Sequence, residues 1–222
     1  MTDEHELAHS HDHDEHGHGP VLKYSDDSRH DYDETGRYVL MAEALRELLV
    51  ERELLSADEI RKQIEFLDSR STGLGAKIVA KAWSDPAFKD RLLADGTAAM
   101  TEFNIPMAGA ELVVVENTED IHNMIVCTLC SCYPRTILGL PPDWYKSKSY
   151  RSRAVNEPRA VLREFGAIIP DHVSLRVHDS NADMRYLVLP ARPENTDGWN
   201  EEQLAELVTR DSMIGVSFAT PA

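Results

Sequence analysis

All three cysteines of this 222-residue chain lie within six positions, Cys127-Thr128-Leu129-Cys130-Ser131-Cys132. Cysteines this close cannot staple distant parts of a chain, and neighbours make poor disulfide partners because bridged Cα atoms need a demanding geometry. The fold must therefore rest on a buried core, for which the length is ample. The sulfurs can, however, all turn toward one ion. Thiolates hold zinc, copper(I) or iron–sulfur clusters, usually with four ligands. Only His122 lies nearby, and its spacing completes no standard zinc pattern. That leaves an incomplete zinc site, or one completed by something other than a side chain.

The Cys-Ser-Cys half points to the second option. Two thiolates one residue apart share an ion only if the backbone curls tightly, which brings the peptide nitrogens of Ser131 and Cys132 to ligand distance. Three sulfurs and two deprotonated amides then occupy five positions of an octahedral ion and leave the sixth open. Amide ligation needs a strongly Lewis-acidic ion, so a trivalent transition metal fits better than zinc. An open position on such an ion acidifies a bound water or polarises a bound substrate.

Charge and periodicity organise the rest. The first 36 residues carry eleven acidic and two basic residues, a net −9 of the chain's −16, and six of the chain's ten histidines lie close together at their start: His5, His9, His11, His13, His16 and His18. The stretch HSHDHDEHGHG is almost without apolar groups, and residues 1–36 are expected to be a disordered tail that binds divalent ions weakly or only solubilises. Residues 37–72 form a helical arm: RYVLMAEALRELLVERELL sets apolar residues at helical spacing, and Ser56 with Glu59 fits a capping box for the next helix. Residues 73–222 are expected to form one metal-binding catalytic domain. In it, GAKIVAKAW reads as a helix and Asp85-Pro86 opens another running to Phe103. ELVVVE at 111–116, MIV at 124–126, LRVHD near 177 and RYLVLP at 185–190 read as strands, with helices at 160–166 and 200–208 among them. Helices first and a mixed, layered strand-and-helix half after them give an α+β fold class. The acidic balance argues against nucleic acid or an anionic membrane as partner. The absence of a long apolar run or signal-like start gives a cytoplasmic expectation.

The segments VCTLCSCYP, GLPPDWYKSKSYRSR, EPRAVLREFG, RYLVLPARP and GWNEEQLAELVTRDSMIG closely resemble the α subunit of nitrile hydratase, and the likeness runs from about Gly75 to Gly215. The resemblance implies a low-spin cobalt(III) or iron(III) ion held by Cys127, Cys130, Cys132 and the backbone amides of Ser131 and Cys132. Thr128 and Tyr133 are the residues of the cobalt branch, where the iron branch usually has Ser and Thr, so cobalt(III) is expected. It further implies that Cys130 is a sulfinate and Cys132 a sulfenate, rungs of the thiol oxidation ladder used here for function. The implied reaction hydrates R–C≡N to R–CO–NH₂, with Cys132, Cys130 and Ser131 as the catalytic residues. Implied partners are a β subunit, whose arginines hold the sulfur oxygens in an α2β2 assembly, and an activator chain that loads the metal.

Two positions depart from the family pattern and bear on substrate. Where the family commonly places a pocket-walling Trp, this chain has Arg135, and a Gln of some members corresponds to Ala108. A guanidinium replaces an apolar wall with a fixed cation and five donors, which favours a small polar or anionic substrate. The run Cys132-Tyr133-Pro134-Arg135 is also the form of the γ subunit of thiocyanate hydrolase, a relative with the same claw that acts on SCN⁻. The TRDSMIG end is the nitrile hydratase form, and the extra segment expected of the thiocyanate enzyme before ELVVVENT is missing. A third reading, from another class, is a non-catalytic metal-binding module holding zinc or copper with a borrowed ligand. Blander roles are expected elsewhere: Trp144, Tyr145 and Tyr150 as packing anchors, Arg151, Arg153 and Arg159 as partners of carboxylates at a subunit contact, His172 and His178 on the surface, and no chemistry for Asp179 and Arg185.

Overall fold

The computed structural model describes residues 31–68, 71–107 and 109–220. Helices α1 (Asp31–Glu51) and α2 (Ala57–Asp68) form the arm. Their junction is the capping box read from the sequence: Ser56 Oγ accepts from the Glu59 amide at 3.1 Å, and the Glu59 carboxylate accepts the Ser56 N–H at 2.8 Å. The apolar stripe of α1 does not reach the chain's own core. Tyr38, Leu40, Leu45 and Leu48 are all exposed, Leu40 by 67%.

The core begins with α3 (Thr72–Ser84), which buries Ile78, Val79 and Ala82. Gly75 is needed there because a Cβ would lie 2.6 Å from the Met213 sulfur and 2.8 Å from a Leu138 methyl. Helix α4 (Pro86–Ala94) starts at the expected cap, Asp85 accepting from the Phe88 amide at 3.0 Å. The continuous helix expected to Phe103 is broken: Asp95 caps a new short helix, α5 (Gly96–Ala99), and a 3-10 turn (Met100–Phe103) ends in left-handed Asn104. The break follows from packing. It lays Gly96 so close to β1 (Glu111–Glu116) that a Cβ would stand 2.5 Å from the Leu112 carbonyl oxygen.

The strands form two parallel pairs. β1 pairs with β4 (Met184–Leu189), and β2 (Ile121–Val126) pairs with β3 (Ser174–Asp179) in the register Val126 to Asp179. β2 starts three residues before the MIV expected from sequence and is buried along nearly its whole length, as a parallel strand covered on both faces should be. A parallel pair needs a long crossover. Here it carries the cysteine run and then α6 (Arg135–Leu138), α7 (Asp143–Lys146), α8 (Lys148–Asn156) and α9 (Pro158–Glu164). Edge-to-face contacts of Trp144 with Tyr150 and Phe165, at 4.8 and 4.7 Å between ring centres, lock these helices together. α10 (Glu201–Glu206) and α11 (Arg210–Ile214) close the body over α3 and the strands. Gly215, at φ 84°, lets the chain pass the Asn123 carbonyl, where a Cβ would be 2.0 Å away. The α+β architecture is therefore as read. Among the described residues no helix is long and apolar enough to cross a membrane.

Candidate metal centre

The cysteine run begins where β2 ends. Val126 and Cys127 are both fully buried, so the first sulfur is fixed by the core itself. The chain then leaves the sheet, and the carboxylate of Asp179, at the matching end of β3, takes both donors of Thr128: the amide at 2.9 Å and the hydroxyl at 2.6 Å. The turn that follows returns the backbone to the first sulfur, with the Cys130 amide donating to Cys127 Sγ at 3.3 Å. Leu129, at the outer tip, is 86% exposed. The Tyr145 hydroxyl then donates to the Cys132 carbonyl at 2.9 Å.

The result is a three-sulfur claw. Cys127 Sγ and Cys130 Sγ stand 3.4 Å apart, Cys130 Sγ and Cys132 Sγ 3.1 Å, and all three lie within 4.8 Å of one another. For metal–sulfur bonds of about 2.3 Å, ligands at right angles lie about 3.3 Å apart and tetrahedral ones about 3.8 Å apart. The two short separations match the right-angled set, which is the geometry of an octahedral ion rather than of structural zinc. Among the described residues no histidine or carboxylate joins the cluster. His122 is occupied elsewhere: its Nε2–H donates to the Gly215 carbonyl at 2.8 Å, and Nδ1 faces the Asn117 amide at 3.4 Å.

The electrostatics favour an anionic sulfur at Cys130 and oppose one at Cys132. The Cys130 thiol is pulled down to about 7, first by its hydrogen bond with Cys132, then by that with Cys127, and also by the amides of Ser131 and Cys132, which point at its sulfur. Both amides belong to the Cys-Ser-Cys turn. Cys132 is pushed up to about 12 by burial first and by the neighbouring sulfurs, with the Arg185 guanidinium opposing the rise. Two thiols in contact hold one proton between them. A cation is what would let both be anionic.

Cys130 and Cys132 open on a cleft of about 310 Å³, with Met107, Ala110, Ser131, Arg135 and Arg185 in its wall. Arg135 is exposed there, and no carboxylate among the described residues pairs with it. Ala108 lies outside the described residues. A roomier groove of about 760 Å³ runs beside Arg159 and His172, but it contains no sulfur and no ligand cluster.

The family model described as nitrile hydratase, alpha chain, matches residues 37–217. The chain belongs to the nitrile hydratase α-chain family. It is 54% identical over 179 residues, 80% of this chain and 86% of the relative, to the low-molecular weight cobalt-containing nitrile hydratase subunit alpha of Rhodococcus rhodochrous. It is 43% identical over 201 residues, 85% of this chain and 83% of the relative, to thiocyanate hydrolase subunit gamma of Thiobacillus thioparus. Among solved structures, a recombinant thiocyanate hydrolase with partially modified cobalt centres matches at a TM-score of 0.78 and 42% identity, covering 83% of this chain and 90% of that one. A double mutant of the Fe-type nitrile hydratase from Comamonas testosteroni Ni1 matches at 0.77 and 43%, covering 83% and 91%.

Within this member of the family several side chains stand differently from the sequence expectation. His178 is half-buried, donating to Asn123 Oδ1 at 2.9 Å and lying against Tyr186, because β3 turns it toward β2. Two members of the arginine cluster are satisfied at home. Arg153 pairs with Glu157 and Glu164, and Arg159 donates to the carbonyls of Ile169, Pro170 and Val173. Arg151 instead reaches the claw loop, 3.5 Å from the Thr128 carbonyl. Asp179 and Arg185, given no chemistry from sequence, both serve the claw. The signal for Asp179 was the parallel pairing of β2 with β3, which carries it to the end of β2 opposite Val126, whereas Arg185 comes to the cleft on β4, which pairs with β1.

Proposed function

We propose that this chain is the α subunit of a cobalt-dependent nitrile hydratase, with Cys127, Cys130, Cys132 and the backbone amides of Ser131 and Cys132 as ligands of cobalt(III). The observation that carries the reading is the clustering of the three sulfurs within 4.8 Å, with the two separations from Cys130 near the right-angled value and the amides of Ser131 and Cys132 at the Cys130 sulfur. The cobalt-containing relatives at about half identity support the choice of ion. When bound, the trivalent ion would supply Lewis acidity beside the cleft. The chain's own residues do the rest. Buried Cys127 anchors the claw, and Cys130 and Cys132 reach the cleft as the sulfinate and the sulfenate that the family resemblance implies, both formed by an oxygen- or peroxide-class oxidant before turnover. The Cys132 oxygen then acts as base or nucleophile as water adds across R–C≡N to give R–CO–NH₂. Arg185 favours negative charge on Cys132, and Ser131 lines the same wall. A β subunit covers the exposed claw in an α2β2 assembly, and an activator chain loads the metal.

A second reading has its own observation. Arg135 stands on the cleft without a carboxylate, so a small anion such as thiocyanate is a candidate substrate. The test is co-expression of the full chain with its β subunit and activator, extensive chelator dialysis to strip the histidine-rich segment, then metal analysis and assays with a small nitrile and with thiocyanate. About one retained cobalt per chain with amide formation is expected. Retained cobalt with thiocyanate turnover alone selects the second reading, and zinc or chelator-labile metal overturns both.

A further inference from the structure

We infer that Tyr145 is a positioning residue of the claw, its hydroxyl setting the place of the third sulfur ligand through the Cys132 carbonyl. The inference rests on the proposed metal centre and goes beyond it, because Tyr145 is neither a ligand nor a wall of the cleft.

Tyr145 sits on α7, thirteen residues beyond Cys132 along the chain. Its side chain is fully buried, ringed by Tyr133 at 5.1 Å, Tyr150 at 5.6 Å and Trp144 at 6.0 Å between centres. Aromatic packing alone would explain the ring. It does not explain the hydroxyl, which a phenylalanine would omit without opening a gap. A buried phenol must find a partner or lose its water hydrogen bond outright. This one donates to the Cys132 carbonyl at 2.9 Å, with the Ser180 hydroxyl beside it. Ser180 follows Asp179, the residue that clamps Thr128. The end of β3 therefore steadies the claw at both ends, directly at Thr128 and by way of Tyr145 at Cys132.

Tyr150 is the internal control. It is equally buried, belongs to the same aromatic cluster, and donates at 2.7 Å to the carbonyl of Ile125, inside β2 and not in the claw. Removing either hydroxyl costs a buried hydrogen bond; only one of them bears on a sulfur ligand.

The experiment uses the cobalt-loaded complex with the β subunit. Tyr145→Phe should keep cobalt near one per chain, shift the sulfur-to-cobalt charge-transfer absorption, and lower kcat about tenfold or more with little change in KM, the usual scale for partners that orient metal ligands. Tyr150→Phe should leave spectrum and kcat as they are. Tyr145→p-aminophenylalanine, which restores an N–H donor at the same place, should recover both. An unchanged spectrum and kcat in Tyr145→Phe, or the same change in Tyr150→Phe, overturns the assignment and leaves Tyr145 as packing. If Tyr145→Phe does not assemble, the p-aminophenylalanine variant decides alone: wild-type spectrum and kcat sustain the proposal, and altered values or failure to assemble overturn it. Absence of cobalt or hydration in the unaltered complex would instead defeat the functional reading itself.

Discussion

The claw and the arm are both apolar-rich segments that end in solvent, and they are held in opposite ways. Cys127 stands on a fully buried strand and its loop is tied down by Asp179 and Tyr145. Helix α1 shows Tyr38, Leu40, Leu45 and Leu48 to solvent and takes nothing from the core. Their sequence patterns alone would not have separated them, since helical spacing of leucines looks alike whether the helix packs on its own chain or elsewhere. The difference lies in long-range contacts. The claw is preorganised by its own chain, whereas the arm's apolar face has no place in this chain's core.

The largest break in that comparison comes from the ligands. Cys127→Ala should abolish retained cobalt and activity in the co-expressed complex, measured by metal analysis after chelator dialysis. The variant should still fold, because one sulfur in a core of this size is a small loss. Cobalt retained at wild-type level would show that the sulfurs are not its ligands.

Next is the clamp. Asp179→Ala leaves two donors of Thr128 without their acceptor, and outer-sphere partners of ligands typically carry 10–100-fold in metal affinity or activity. A loss in that range is expected, with Asp179→Asn intermediate because one carbonyl oxygen remains. Thr128→Val should add little on top of Asp179→Ala, since the pair acts as a unit. Additive losses would mean the clamp is incidental.

Arg135→Trp tests substrate choice. Removing a cation beside a small anion should shift the ratio of nitrile to thiocyanate kcat/KM toward nitriles by about tenfold or more, a scale consistent with one screened charge at short range. An unchanged ratio would show that the guanidinium does not face the substrate.

A smaller effect concerns the polar network that joins the strands beneath the claw. Burial, the first cause, lowers the pKa of His122, and it does the same for His178. Each therefore takes up its proton at a lower pH in the folded chain than in the unfolded one, so around and below about pH 6.5 the unfolded chain binds more protons. Stability is fully present above that pH and falls as the pH drops below it. Melting temperature should decline from pH 7 to pH 5, and His122→Gln should flatten the decline; an unaltered slope would remove His122 from the account.

Much of this was legible in the sequence, and what was not has a common cause. The capping box at Ser56, the start of α4 at Asp85-Pro86 and all four strands follow from local chemistry. The clustered cysteines announced one ion-sized site, and their one-residue spacing required the amides that now point at Cys130. The break at Asp95 was hidden because it answers to β1 packing on Gly96, the roles of Asp179 and Arg185 were hidden because each depends on a partner far away in sequence, and that of Tyr145 because it depends on how α7 folds back on the claw. Local rules found the ligands; only tertiary pairing found what holds them.

The smallest effect sharpens the other half of the comparison. Leu45 is 55% exposed on α1, so Leu45→Ser removes an apolar side chain that is already largely hydrated. Surface changes of this kind stay within about 0.5 kcal/mol, against about 2–5 kcal/mol for a buried Ile→Ala such as Ile125→Ala on β2. Chemical denaturation of the α chain alone should reproduce that gap. In the assembled complex the two variants should converge, since an arm face that is covered by a partner subunit turns Leu45 into a buried residue and raises its cost. If Leu45→Ser stays neutral in the complex as well, the arm is solvated there too, and its stripe of leucines has no packing role at that position.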